Sequence, residues 1–124
     1  MGLNQVIGHD RTKTLLAKTL ENGHISHAYI LEGPKGVGRL TLAKAFAEEI
    51  VAQSSTVHSA ESHPDITVVT NQLYEPEKTQ TNILVNTVRN MKKDVYIRPY
   101  MAQRKVYIVP GADTMQAPAQ NSLL

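Results

Sequence analysis

Gly33-Pro34-Lys35-Gly36-Val37-Gly38-Arg39-Leu40 keeps the glycine frame of a phosphate-binding loop and lacks both of the residues that do the loop's chemistry. In a working G-x-x-x-x-G-K-[ST] loop the glycines turn successive backbone N–H groups toward the phosphates, the lysine reaches the terminal phosphates and the hydroxyl holds magnesium. Arg39 stands at the lysine position and Leu40 at the hydroxyl position. Arginine keeps the positive charge but carries it on a planar fork rather than a compact ammonium. Leucine cannot ligate a metal, and Thr41, one residue on, is turned about 100 degrees around a helix. The residues left to meet a phosphate are Gly33, Gly36, Gly38, Arg39 and Thr41, with affinity expected to be weak or nil and to come from backbone amides at a helix N-terminus.

The flanks constrain the fold further. Ala28-Tyr29-Ile30-Leu31 is a short run of strand formers, and Leu42, Ala43, Phe46 and Ile50 give the residues after the loop a helical apolar face, best explained as core rather than as a partner groove. Strand, glycine turn, helix is the context that a phosphate loop requires. Upstream, Asp10 is placed to cap a helix to about Asn22, with Leu15, Leu16 and Leu20 on one side and Gly23 just past its end. Downstream, residues 53–61 predict a polar surface connection and 66–69 a second strand, introduced by His63-Pro64-Asp65. A polar loop follows over 71–81, then a helix capped by Asn86 in which Val88, Met91 and Val95 recur, ending before Pro99. Val106-Tyr107-Ile108-Val109 predicts a third strand, and residues 115–124 a last helix.

Strands alternating with helices imply an α/β fold with a parallel sheet covered on both faces. Three strands are few for such a sheet, and the last helix reaches Leu124 with no stop signal. Residues 1–124 therefore predict a truncated α/β domain lacking further strands and helices.

A hydrolase of this architecture needs acidic residues at the end of a later strand, to hold magnesium and polarise water. After Lys105–Val109 the chain offers Pro110-Gly111-Ala112-Asp113, with proline and glycine where carboxylates belong and Asp113 too late. With both ends of the site altered, hydrolysis is not expected and no catalytic residue is assigned. The absence of cysteine removes disulfides and thiolate metal sites, and His9, His24, His27, His58 and His63 are scattered, so no metal is expected. No apolar run is long enough to cross a bilayer, and the start lacks a signal-peptide profile, which predicts a cytoplasmic protein.

One stretch invites a nucleic-acid reading. Arg89, Lys92, Lys93, Arg98, Arg104 and Lys105 are interleaved with Tyr96 and Tyr100 and opposed only by Asp94. Such a pattern can track a phosphate backbone and stack on bases. It equally describes a solvated face with tyrosines anchoring the fold, and that reading is favoured because the charges lie on both sides of Pro99.

With these blocks in order, the chain resembles the delta-prime subunits of the bacterial DNA polymerase III clamp loader. Ile7-Gly8-His9, residues 27–38, His63-Pro64-Asp65, residues 83–91, Arg104 to Val109, residues 112–115 and residues 119–124 carry the resemblance. It implies a P-loop AAA+ type nucleotide-binding fold in a noncatalytic subunit, working beside gamma/tau motor subunits and the delta subunit in DNA replication, with primer-template DNA reached through the assembled complex. It also implies an arginine donated to a neighbour's ATP site from beyond Leu124. The family's common four-cysteine zinc site is missing from residues 53–62, so neither zinc nor ATP is an expected cofactor. The alternatives are an ATP-binding motor subunit of the gamma/tau kind and a DNA-binding module.

Overall fold

The computed structural model of the chain describes residues 3–34, 36–54 and 63–123. Lys35 and most of the connection expected over 53–61 fall outside the described residues. A short 3-10 turn, Leu3–Gln5, leads to helix α1 (Asp10–Asn22) and helix α2 (Arg39–Ala52). Strand β1 (Ile66–Val68), helices α3 (Asn71–Tyr74) and α4 (Val85–Val95), strand β2 (Val106–Ile108), a second 3-10 turn (Ala112–Thr114) and helix α5 (Ala117–Leu123) complete the order.

Helix α1 has the expected span with a different start. His9, with φ of 55°, occupies the cap position, and Asp10 is the first helical residue rather than the cap. From there its carboxylate lies 3.5 Å from Lys13, an exposed pair that contributes little. Gly23 closes the helix in the left-handed conformation, its N–H donating to the Leu20 carbonyl, as a glycine past a helix end should. Leu16 is buried and Leu20 packs beside it, whereas Leu15 is exposed, because the helix turns it out of their stripe.

Helix α2 is buried around most of its circumference because it fills the space between two layers. Leu42, Phe46 and Ile50 join Leu3, Val6 and Leu16 in one cluster, while Ala47 and Val51 join Ile66 and Ile108 of the sheet in another. The core reading of this helix holds, and Val106 packs against both clusters. A third cluster, Ile83, Val88, Met115 and Ala119, joins α4 to α5.

The sheet is parallel, as expected, and among the described residues it has two strands, with Ile66 opposite Val106, Thr67 opposite Tyr107 and Val68 opposite Ile108. The connection between them carries α3 and α4, as a parallel crossover must carry a long link. The strand expected over Ala28–Leu31 does not form. A strand needs a neighbour for its N–H and C=O groups, and here Leu31 only packs against the first cluster while Ile30 is 85% exposed. Tyr29 instead sets its ring edge-on to Phe46, centroids 5.2 Å apart, and accepts the Ser26 N–H through its hydroxyl.

Two further expectations change around α4. The polar segment after β1 begins with the short helix α3, and α4 starts at Val85, ahead of Asn86, which is exposed. No side chain caps the first turn, but a different chain segment holds the entry to the helix. Buried Asn71 accepts the Leu84 N–H at 3.0 Å and the Thr87 hydroxyl at 2.6 Å through Oδ1, and donates through Nδ2 to the Gln80 and Asn82 carbonyls. Val88 and Met91 are buried as the helical spacing requires, whereas Val95, at the last turn, is about half exposed.

Candidate functional site

The glycine loop ends where a phosphate loop should end. Gly36 and Gly38 take φ of 84° and 89°, a left-handed conformation that side-chain-bearing residues avoid. Gly38 immediately precedes α2, and its carbonyl accepts the Leu42 N–H at 2.9 Å as the first helical bond. A Cβ at Gly33 would meet a Val37 methyl at 3.1 Å and the Arg39 Cδ at 3.8 Å. The Arg39 stem therefore lies on the Gly33 side of the turn.

The five expected residues divide between two places. Gly33 and Arg39 lie near one another, and Gly36 lies exposed at the turn. Gly38 and Thr41 instead line a cleft of about 230 Å³ with Val6, Ile7, His9 and Val37. His9 Nε2 donates to the Val37 carbonyl, so the start of α1 is tied to the loop. This contact was not legible in the sequence. What places His9 there is its left-handed backbone at the head of α1, an unusual conformation for a residue other than glycine.

At the other end of the presumed site, Gly111 turns the chain after β2 with φ of 76°. Asp113 lies exposed in the 3-10 turn that follows. The Thr114 hydroxyl donates to the Gly111 carbonyl and accepts the Ile83 N–H. No group of three metal-binding side chains gathers among the described residues. The chain has no cysteine to offer a metal, and His63 Nδ1 accepts the Asp65 N–H at 3.0 Å.

A buried charge lies elsewhere, in residues with no assigned chemistry. Asp65 is 1% exposed, and its carboxylate accepts N–H groups from Tyr100 at 2.5 Å, Met101 at 2.7 Å and Ala102 at 2.6 Å. Burial works against its ionisation, but the three backbone donors, with His63 nearby, hold the carboxyl below the ordinary aspartate value. The aspartate of His63-Pro64-Asp65 is thus an internal anchor for the segment before β2.

A second anchor neutralises part of the basic stretch. Asp94 accepts the Tyr107 hydroxyl at 2.5 Å, and the Lys105 ammonium donates to the Asp94 carboxylate, the Asp94 carbonyl and the Ile97 carbonyl. The Tyr107 hydrogen bond, outweighing the opposing effect of burial, and the Lys105 charge hold Asp94 below its ordinary range. Burial, then the Asp94 carboxylate, pushes Tyr107 well above the ordinary tyrosine range. Tyr96 and Tyr100, expected to anchor the fold, do the opposite and stand 88% and 82% exposed.

Comparison with known proteins gives the family. The family described as "DNA polymerase III, delta subunit" matches residues 8–124. A DNA polymerase III subunit delta' of Pseudomonas aeruginosa is 31% identical over 111 residues, covering 80% of this chain and 32% of that protein. The subunit delta' of Bacillus subtilis is 29% identical over 125 residues, covering 92% of this chain and 36% of that protein. A DNA polymerase III subunit gamma/tau of Mycoplasma pneumoniae is 23% identical across 98% of this chain and 18% of its own length. The chain thus spans about a third of the length of the delta' relatives it matches. No solved structure matches it significantly.

Proposed function

The chain belongs to the DNA polymerase III, delta subunit, family, and from that premise we propose that it is part of a noncatalytic delta-prime subunit of the bacterial replicative clamp loader. Its fold on this reading is a piece of a P-loop AAA+ type domain kept as a scaffold, and its partners are the gamma/tau and delta subunits. The observation that carries the reading is the pairing of a family match over residues 8–124 with a loop whose glycine geometry persists while Arg39 and Leu40 occupy the positions of the phosphate-binding cation and the magnesium ligand. A scaffold needs the turn that leads into α2 and has no use for the metal ligand, so glycines can outlast chemistry. The chain accordingly works without nucleotide or zinc of its own and catalyses nothing by itself.

The gamma/tau relatives favour a second reading, an ATP-binding motor subunit, since they match almost the whole chain. Against it stand Leu40 in place of a hydroxyl and Pro110-Gly111 in place of carboxylates. Sedimentation velocity of the chain mixed with purified gamma/tau and delta subunits tests assembly. A faster-sedimenting complex formed without added ATP is expected; hydrolysis of magnesium-ATP by the chain alone, with no complex formed, would overturn the scaffold reading.

A further inference from the structure

Residues 89–105 hold six cations against the single carboxylate of Asp94, a net +5 in a chain whose total is +2, which leaves −3 for all other residues. Charge is therefore strongly segregated, and a local field of this kind attracts polyanions. Asp94 offsets one of the six, the Lys105 with which it pairs, and leaves the other five cations in excess. Lys105 is drawn inward by those bonds and Lys92 donates to the Ser122 carbonyl. Lys93, Arg98 and Arg104 are exposed and make no ion pair among the described residues.

Two almost fully exposed tyrosines sit among these cations. Tyr107 gives its hydroxyl to Asp94 and the Tyr74 hydroxyl is buried, whereas Tyr96 and Tyr100 leave their rings to solvent. The two stand four positions apart, at most about 14 Å of extended chain. The loop between them is held at both ends. Ile97 N–H donates to the Asp94 carbonyl, Lys105 bonds the Ile97 carbonyl, Pro99 fixes its own φ, and Asp65 takes the N–H groups of Tyr100 and Met101. Rings presented by a backbone already fixed lose little entropy on binding.

We propose that the Tyr96–Tyr100 loop binds single-stranded nucleic acid, stacking bases on the two rings while Lys93, Arg98 and Arg104 follow the phosphates. Stacking is tolerant of sequence because every base has a π-face, and the cations supply a salt-dependent, sequence-independent attraction. A protein partner could use the exposed Ile97 and Val95. The excess of cations among the rings favours a polyanion over an apolar pocket.

The test is fluorescence anisotropy of labelled oligo-dT and oligo-rU of about 20 nucleotides, longer than a single small site, with a duplex of the same length beside them. Binding to at least one oligomer is expected, with affinity falling about 20-fold between roughly 50 and 200 mM salt if three phosphates are neutralised. The two oligomers distinguish DNA from RNA as the source of the strand, and binding to either supports the proposal. Tyr96→Ala with Tyr100→Ala should weaken binding about 10-fold or more at an unchanged melting temperature, while the Phe pair retains it. Arg98→Ala with Arg104→Ala should flatten the salt dependence. Absence of binding to both oligomers, as a protein-docking loop would give, overturns the proposal. So does binding that survives loss of both rings, or duplex bound as tightly as the single strand.

Discussion

Replacing Asp65 by asparagine removes the charge from a buried carboxylate that three backbone N–H groups satisfy, while keeping its shape. One carboxylate oxygen takes the Tyr100 N–H and the other takes those of Met101 and Ala102. An amide has one acceptor oxygen, so its NH₂ must face at least one backbone N–H, donor against donor. The better orientation turns the oxygen to Met101 and Ala102, strands Tyr100 and weakens the two remaining bonds, which lose their charge assistance. A lost charge-assisted bond and an unpaired N–H together cost about 2–4 kcal/mol. For a chain of this size each kcal/mol moves the melting temperature by roughly 3–6 °C, so Asp65→Asn should melt about 6 °C or more below the parent near neutral pH. The pH dependence has a definite sign. A carboxyl held below its ordinary value stabilises the fold above that value, and the contribution is lost as pH falls through the folded-state pKa. The variant should therefore converge on the parent in acid, as the parent loses the same interaction. Thermal melts by circular dichroism from neutral pH downward read both effects. A variant melting within about 2 °C of the parent near neutrality would refute the anchor, since that corresponds to less than about 1 kcal/mol.

Three other perturbations have expected outcomes. Asn71→Ala removes the side chain that joins the Leu84 N–H, the Thr87 hydroxyl and two carbonyls, and should cost about 3 kcal/mol or more by urea denaturation, against about 1 kcal/mol for Thr87→Val, which loses one of those bonds. Gly38→Ala forces a side chain into a left-handed backbone with φ of 89° and should destabilise by about 1–2 kcal/mol in the same assay, although the nearest atom to the new methyl group is a His9 nitrogen 3.8 Å away. Tyr107→Phe removes the hydroxyl that leads in holding Asp94 low, so the Asp94 carboxyl should titrate closer to its ordinary value by NMR, and the acid limit of stability should move upward in pH.

Helices were the legible part of this chain. Leu16, Val88 and Met91 follow helical spacing and are buried, Gly23 ends α1 where a left-handed residue is wanted, and the β-branched runs at 66–69 and 106–109 found each other in a parallel pair. Ala28–Leu31 has the same local preference but no neighbour to pair with, and pairing is a property of the sheet rather than of the segment. The caps were misassigned for a related reason. Asp10 and Asn86 have the right chemistry near a helix start, yet His9 and Leu84 stand at those positions without a side-chain cap, and the entry to α4 is held by Asn71, thirteen residues before Leu84. The site divides in the same way. Glycine conformations at 36 and 38 follow from the motif, whereas the His9 link to Val37, the Asp65 anchor and the exposure of Tyr96 and Tyr100 depend on contacts between segments distant in sequence.

The central claim is that the loop keeps a fold and has lost its chemistry, and calorimetric titration with ATP, with and without magnesium, tests it most directly. The parent chain, shown by circular dichroism to be folded, is expected to take up no ATP in a magnesium-dependent way, because Leu40 offers no ligand to the metal. An Arg39→Lys, Leu40→Thr variant run beside it shows whether the glycine frame alone can support binding once those groups return. Tight, magnesium-dependent binding by the parent would contradict the account and make a motor subunit the better reading.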